Sequence, residues 1–112
     1  YNAPEYLMGY ICAVEMARWL DLPNWGYAGT TDAQVIDAEA GMEAAELTFL
    51  SLAAGPNLNH DIGHLDYGMP GSLELIVLTD EFLSGFGEYQ AEHTVCFVAS
   101  FVQYLAVVSA RS

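Results

Sequence analysis

Apolar and polar positions along this chain fall into helix-like and strand-like spacings separated by turn residues, and each spacing predicts an element. Near the start, Pro4 occupies a position where the first turn of a helix tolerates proline, and Asn2 is placed to cap it. Leu7, Ile11, Val14, Met16 and Trp19 then share a broad face, with Glu5, Glu15 and Arg18 elsewhere, which predicts a helix over residues 3–20. Asp21 to Asn24 turns around Pro23. Trp25 to Ala28 reads as a brief strand weakened by Gly26, and the turn-like run Gly29 to Asp32 closes it. Thr31 or Asp32 can cap the next helix, predicted over 33–54.

In that second helix Val35, Met42 and Phe49 form one seven-residue series, and Ala38, Ala45 and Leu52 form another, so one stripe is expected to lie buried against a sheet. Asp37, Glu39, Glu43 and Glu46 occupy the other faces, and Gly55 supplies the stop signal. Asn57 to Ile62 is the next strand. Ser72 caps a third helix over 73–86, whose LELIVL run is apolar nearly all round, as suits a helix packed between a sheet and neighbouring helices. Asp80 and Glu81 interrupt it, and Gly85 and Gly87 fray its end. The last apolar segment, 94–110, is read as a helix, although its β-branched and aromatic content also suits strands. It falls short of the roughly 20 apolar residues of a membrane-spanning helix, and Gln103 interrupts it.

Helix, strand, helix, strand and helix in that order predict an α/β fold whose strands, near 25–28 and 57–61, lie parallel and adjacent. Residues 1–88 form this unit and 89–112 a divergent apolar segment. The 112 residues amount to one domain, whereas a closed eight-fold α/β barrel needs about 250. Because the sequence opens on Tyr1 and enters a helix almost at once, it is expected to be a piece of a longer protein.

Charge narrows the possible partners. Fifteen Asp and Glu stand against Arg18 and Arg111, with no lysine, which argues against nucleic acid and against an anionic membrane surface. The acid is either a solvated surface or an attraction for a cationic ligand, and composition does not choose between them. Cys12 and Cys96 are too few and too isolated for a disulfide framework or a CxxC metal site. No secretory signal pattern is visible, so the cytoplasm is the default location.

Candidate chemistry concentrates between Gly55 and Gly71, GPNLNHDIGHLDYGMPG, where His60, Asp61, His64, Asp66 and Tyr67 fall within a turn-bounded stretch. The spacing HDxxHxD contains metal-ligand residue types. However, predictive zinc spacings place histidines on one face of a regular helix, and Gly63 argues against a helix here. In an extended run His60 and His64 would lie roughly 13 Å apart, too far for one ion, so no metal is expected. His60 reads better as the last strand residue, its imidazole facing a cleft where it can hydrogen-bond a ligand or move a proton. Asp61 would orient that ring or cap the following turn. The alternative, a histidine that only ties down a neighbouring loop, stays open. No nucleophile elbow, P-loop or GxGxxG is present.

Three blocks carry a family resemblance: PEY opening a helix before an LP turn, TDAQVIDAEAG after a glycine-containing strand, and NLNHDIGHLDYGMPGSLELIVLTDE. From Ala3 to Glu81 the sequence resembles the carboxyl-terminal part of the trimethylamine methyltransferase family, while the run after Glu81 departs from its pattern. The resemblance implies two to three βα units of a TIM barrel, a (βα)8 fold. It implies an enzyme that moves a methyl group from a methylated amine to the cobalt of a corrinoid (cobalamin), held by a partner corrinoid protein rather than bound directly. Some members carry pyrrolysine, at a position upstream of Tyr1; others act on quaternary amines such as glycine betaine. The full-length enzyme is expected to be a homo-oligomer, and this fragment inactive alone. Asp32, Gln34 and Asp37 stand in one family block, and His60, Asp61 and Tyr67 in the next, as candidate substrate-binding residues. A reading of another class is a small acidic, non-catalytic ligand-binding or protein-interaction module.

Overall fold

The computed structural model describes residues 2–87. Within them the order is α1 (Pro4–Trp19), β1 (Trp25–Tyr27), α2 (Ala38–Ala54), β2 (Leu58–His60), a 3-10 turn at Asp66–Gly68 and α3 (Leu73–Gly87). β1 and β2 pair in parallel, with Trp25 opposite Leu58, Gly26 opposite Asn59 and Tyr27 opposite His60. The expected adjacent parallel pair is therefore present. The apolar segment read over 94–110 lies outside the described residues.

α2 is central because it packs on both sides. Toward α1 it sets Leu47 and Ala54 against Leu7, Tyr10 and Val14; toward α3 it sets Ala40 and Ala44 against Leu75, Ala33 and Leu65. The α1 contact is riveted by buried polar groups. Ser51 donates its hydroxyl to Asn59 Oδ1, so Tyr10 is the donor in its 2.7 Å bond to Ser51 Oγ. This links both helices to β2. A Cβ at Gly26 would collide with the Tyr10 hydroxyl, Asn59 Oδ1 and the Pro56 ring, so glycine is required there.

Several local expectations are corrected by tertiary contacts. Asn2 does not cap α1, whose N-cap is Ala3; its side chain instead donates to the Thr30 carbonyl and to Glu43. α2 begins at Ala38 and not near 33, because Asp37 caps it by accepting from Ala40 N at 3.0 Å, whereas Thr31 and Asp32 are held by Glu43 in the preceding loop. Nor is either seven-residue series the buried stripe, since Val35, Met42 and Phe49 are all more than half exposed. The buried stripe is Ala40, Ala44, Leu47, Thr48, Ser51 and Ala54, whose small and hydroxylated members contribute little to a hydropathy pattern. Thr48 hides its hydroxyl by donating to the Ala44 carbonyl at 2.6 Å. In α1, Met16 and Trp19 are exposed, and Tyr10 takes the core position. α3 also has an open side, since Leu73 and Val77 are exposed and only Leu75 of that run is fully buried. It continues without a break through Gly85.

Other local signals hold. Gly55 ends α2 in the left-handed conformation at φ 69°. Ser72 Oγ accepts from Leu75 N at 3.2 Å, as a cap for α3 should.

Candidate functional site

Beyond their last residues the two strands do not separate. Ala28 N donates to the His60 carbonyl, Gly63 N to the Gly29 carbonyl, Thr31 N to the His64 carbonyl, and Asp66 N to the Ala33 carbonyl, at 2.9 to 3.2 Å. Thr30 Oγ1 adds a second donor to the His64 carbonyl. Two loops at the carboxyl ends of parallel strands are thus laced side by side, where α/β folds gather their binding groups.

His60 ends β2 opposite Tyr27, and their ring centroids are 4.7 Å apart; Trp25 approaches the same imidazole edge-on at 5.5 Å. The chain then turns sharply: Asp61 has φ 63° and Gly63 φ 84°, both in the left-handed region. For Asp61 that conformation is uncommon. Its effect is to bring the carboxylate back to both imidazoles, with Asp61 Oδ1 lying 2.8 Å from His60 Nδ1 and 3.5 Å from His64 Nδ1. The extended spacing that kept the two histidines roughly 13 Å apart is corrected by this turn. The hydrogen bond from His60, and next that from His64, hold the Asp61 carboxyl well below the ordinary carboxylate range, against the opposing effect of burial. Asp61 is therefore an ionised acceptor. It accepts from the Nδ1 of each imidazole.

The other sequence-predicted residues are placed differently. The Asp32 carboxylate accepts from Asn2 N at 3.1 Å, and its own backbone N donates to Glu43 Oε2 at 2.9 Å. Asp37 is the α2 cap, and Gln34 is exposed in the loop before it. Tyr67 sits on the 3-10 turn at φ 57° with its side chain largely exposed. The structure therefore joins His60, Asp61 and His64 directly. It ties Asp32 and Asp37 into the framework and leaves Gln34 and Tyr67 at the surface of the laced loops.

Sequence reasoning missed Trp25 and Tyr27 as neighbours of His60. Their alternation on β1 was the available signal, but the parallel register that puts Tyr27 beside His60 was needed to use it. It also missed Glu43, whose Oε2 accepts from Thr31 Oγ1, Asp32 N and Asn2 Nδ2. A groove of about 450 Å³ lies between α1 and β1, lined by Tyr6, Tyr10, Val14, Trp25 and Tyr27 with Glu5 at its rim. Among the described residues no group of three or more His, Cys, Asp or Glu is arranged to hold a metal ion. No helix among them is long and apolar enough to cross a membrane.

With this geometry in place, comparison with known proteins identifies the class. The family model described as trimethylamine methyltransferase (MTTB) matches residues 2–96, beyond the Glu81 at which the resemblance was expected to end. The chain belongs to the trimethylamine methyltransferase family. It is 30% identical over 83 residues to the trimethylamine methyltransferase MttB of Methanosarcina barkeri and 29% identical over 83 residues to that of Methanosarcina thermophila; both alignments take in 74% of this chain. A Desulfitobacterium hafniense protein of the same name is 29% identical over 80 residues, 71% of this chain. The aligned part is 16 to 17% of the length of these curated relatives. No solved structure matches.

Proposed function

We propose that this segment supplies part of the substrate site of an enzyme that transfers a methyl group from a tertiary or quaternary methylated amine to the cobalt of a corrinoid carried by a partner protein. The observation that carries the reading is the ionised Asp61, held between His60 and His64 at the carboxyl ends of two parallel strands, in a chain of the trimethylamine methyltransferase family. A methylated ammonium is cationic and apolar at once. It is stabilised by carboxylate charge and by aromatic faces: Tyr27 packs against His60, the imidazole bonded to Asp61, and Tyr67 is exposed on the turn that follows. On this reading the partner's corrinoid would supply the acceptor for the methyl group. This chain's residues bind and orient the amine.

The same reading makes the two parallel strands part of an eight-fold α/β barrel. Support comes from the strand–helix–strand order, from the relatives' greater length, and from the exposed apolar residues Met42, Phe49, Leu73 and Val77, which need cover from further units or from a second copy in a homo-oligomer.

The test uses the full-length protein. His60→Ala should reduce methyl transfer while the fold is retained. Trimethylammonium compounds should bind about tenfold more tightly than neutral tert-butyl analogues, the difference expected of a cation–π contact. Equal affinity for the two, unchanged by Tyr67→Ala, would remove the amine from this loop.

A further inference from the structure

We propose that His64 belongs to the amine site as a specificity-determining partner of His60, and that the two imidazoles sharing Asp61 make the site exchange a proton for its cationic ligand. The inference rests on the amine-site reading and deepens it by naming the competitor. Both Nδ1 atoms lie against a single oxygen, Asp61 Oδ1, at 2.8 and 3.5 Å, and all three side chains are about one-third exposed or less. One carboxylate charge therefore serves two imidazoles, the side-chain type best suited to exchanging a proton near neutral pH. With both imidazoles neutral, the cluster carries one negative charge and favours a methylated ammonium. One bound proton cancels that charge, and a second makes the cluster repel the ligand. A protonated imidazole and the ammonium are the same kind of partner for Asp61, so each displaces the other.

Among the described residues, the groups around the three side chains are these. From β1 the groups facing His60 are Tyr27 and the uncharged Trp25, with Tyr6 of α1 behind Tyr27. From the first loop Thr30 and Thr31, both uncharged, bond the His64 backbone. Asp66, a carboxylate, and Tyr67 follow His64 on the 3-10 turn. Arg18 is engaged elsewhere, on the Ala54 carbonyl at the end of α2.

Calorimetric titration of the full-length protein with tetramethylammonium, which carries no exchangeable proton, tests this in buffers of different ionisation heat. Affinity should fall about tenfold from about pH 7.5 to about pH 5.5, with protons released on binding. His64→Gln should cut the proton release by about half and flatten the pH dependence of affinity, because one of the two partners of Asp61 is gone. Measurable binding with a flat pH profile, or a slope unchanged in His64→Gln, would overturn the proposal. Absence of binding at every pH by the folded protein would instead overturn the amine-site reading, and this inference with it. Proton NMR of the unsubstituted protein gives an independent measure. Both imidazole titrations should move together when tetramethylammonium is added, and titrations unmoved by it would reject the exchange.

Discussion

The two loops that follow the parallel strands contain similar residue types and use them differently. After β1, Thr30, Thr31 and Ala33 are buried, Thr31 and Asp32 are clamped by Glu43, and Asp37 caps α2. Its acids act within the framework. After β2, Asp61, Asp66 and Tyr67 all adopt positive φ, the side chains are half-buried or exposed, and one carboxylate is shared by two imidazoles. Here the backbone holds uncommon conformations, at a cost of about 1 to 2 kcal/mol per non-glycine residue, and at Asp61 this returns the carboxylate to two imidazoles. A carboxylate at a strand end is thus informative about function only once its hydrogen-bond partners are known.

Breaking the clamp should have the largest effect. Glu43→Ala leaves the Thr31 hydroxyl and the Asp32 N–H without their acceptor in a half-buried setting, so a loss of about 2 to 5 kcal/mol is expected in denaturant unfolding of the full-length protein. A loss below about 0.5 kcal/mol would mean that water replaces Glu43 and that the first loop is not framework. Asp37→Ala should cost about 1 kcal/mol, the usual value of a helix cap, and leave amine affinity unchanged. An altered affinity in a folded variant would show that Asp37 serves the substrate site as well as the cap.

Tyr67→Gly sharpens the contrast from the other loop. Glycine adopts φ 57° without the side-chain clash, so a gain of up to about 1 kcal/mol in stability should accompany weaker amine binding. Stability and affinity falling together would show that Tyr67 is a packing residue. The smallest effect concerns acid. Because the folded Asp61 carboxyl titrates below its ordinary value, its contribution to stability is fully present above about pH 4 and lost as pH falls through the lower folded value. Asp61→Asn keeps a side chain that tolerates positive φ, so the melting temperatures of the variant and the original protein should converge below about pH 4. A difference that grows in that range would contradict the sign.

Part of the site was legible without tertiary information. The stretch from His60 to Tyr67 stood out by residue type, and His60 was placed correctly at a strand end. An extended run would separate His60 from His64 too far for one ion, and no local rule predicts that Asp61 adopts the left-handed conformation and folds the run back. Asp32 and Asp37 were chosen by family block; their bonds to Asn2 and Ala40 became visible only in the assembled fold.

Sequence alone determined the helix–strand order, the Gly55 stop, the Ser72 cap, the parallel pairing and the family, because these rest on spacing, turn chemistry and motif order within short windows. Tertiary structure decided where α2 begins, which of its faces is buried and which histidines share a carboxylate. Those outcomes depend on partners distant along the chain: Glu43 reaching Thr31, Ser51 reaching Tyr10, and Thr30 and Thr31 holding the carbonyl of His64. Small and hydroxylated residues such as Ala40, Ala44 and Ser51 form the buried face of α2 because close approach and internal hydrogen bonds favour them, and neither property shows in a hydropathy pattern.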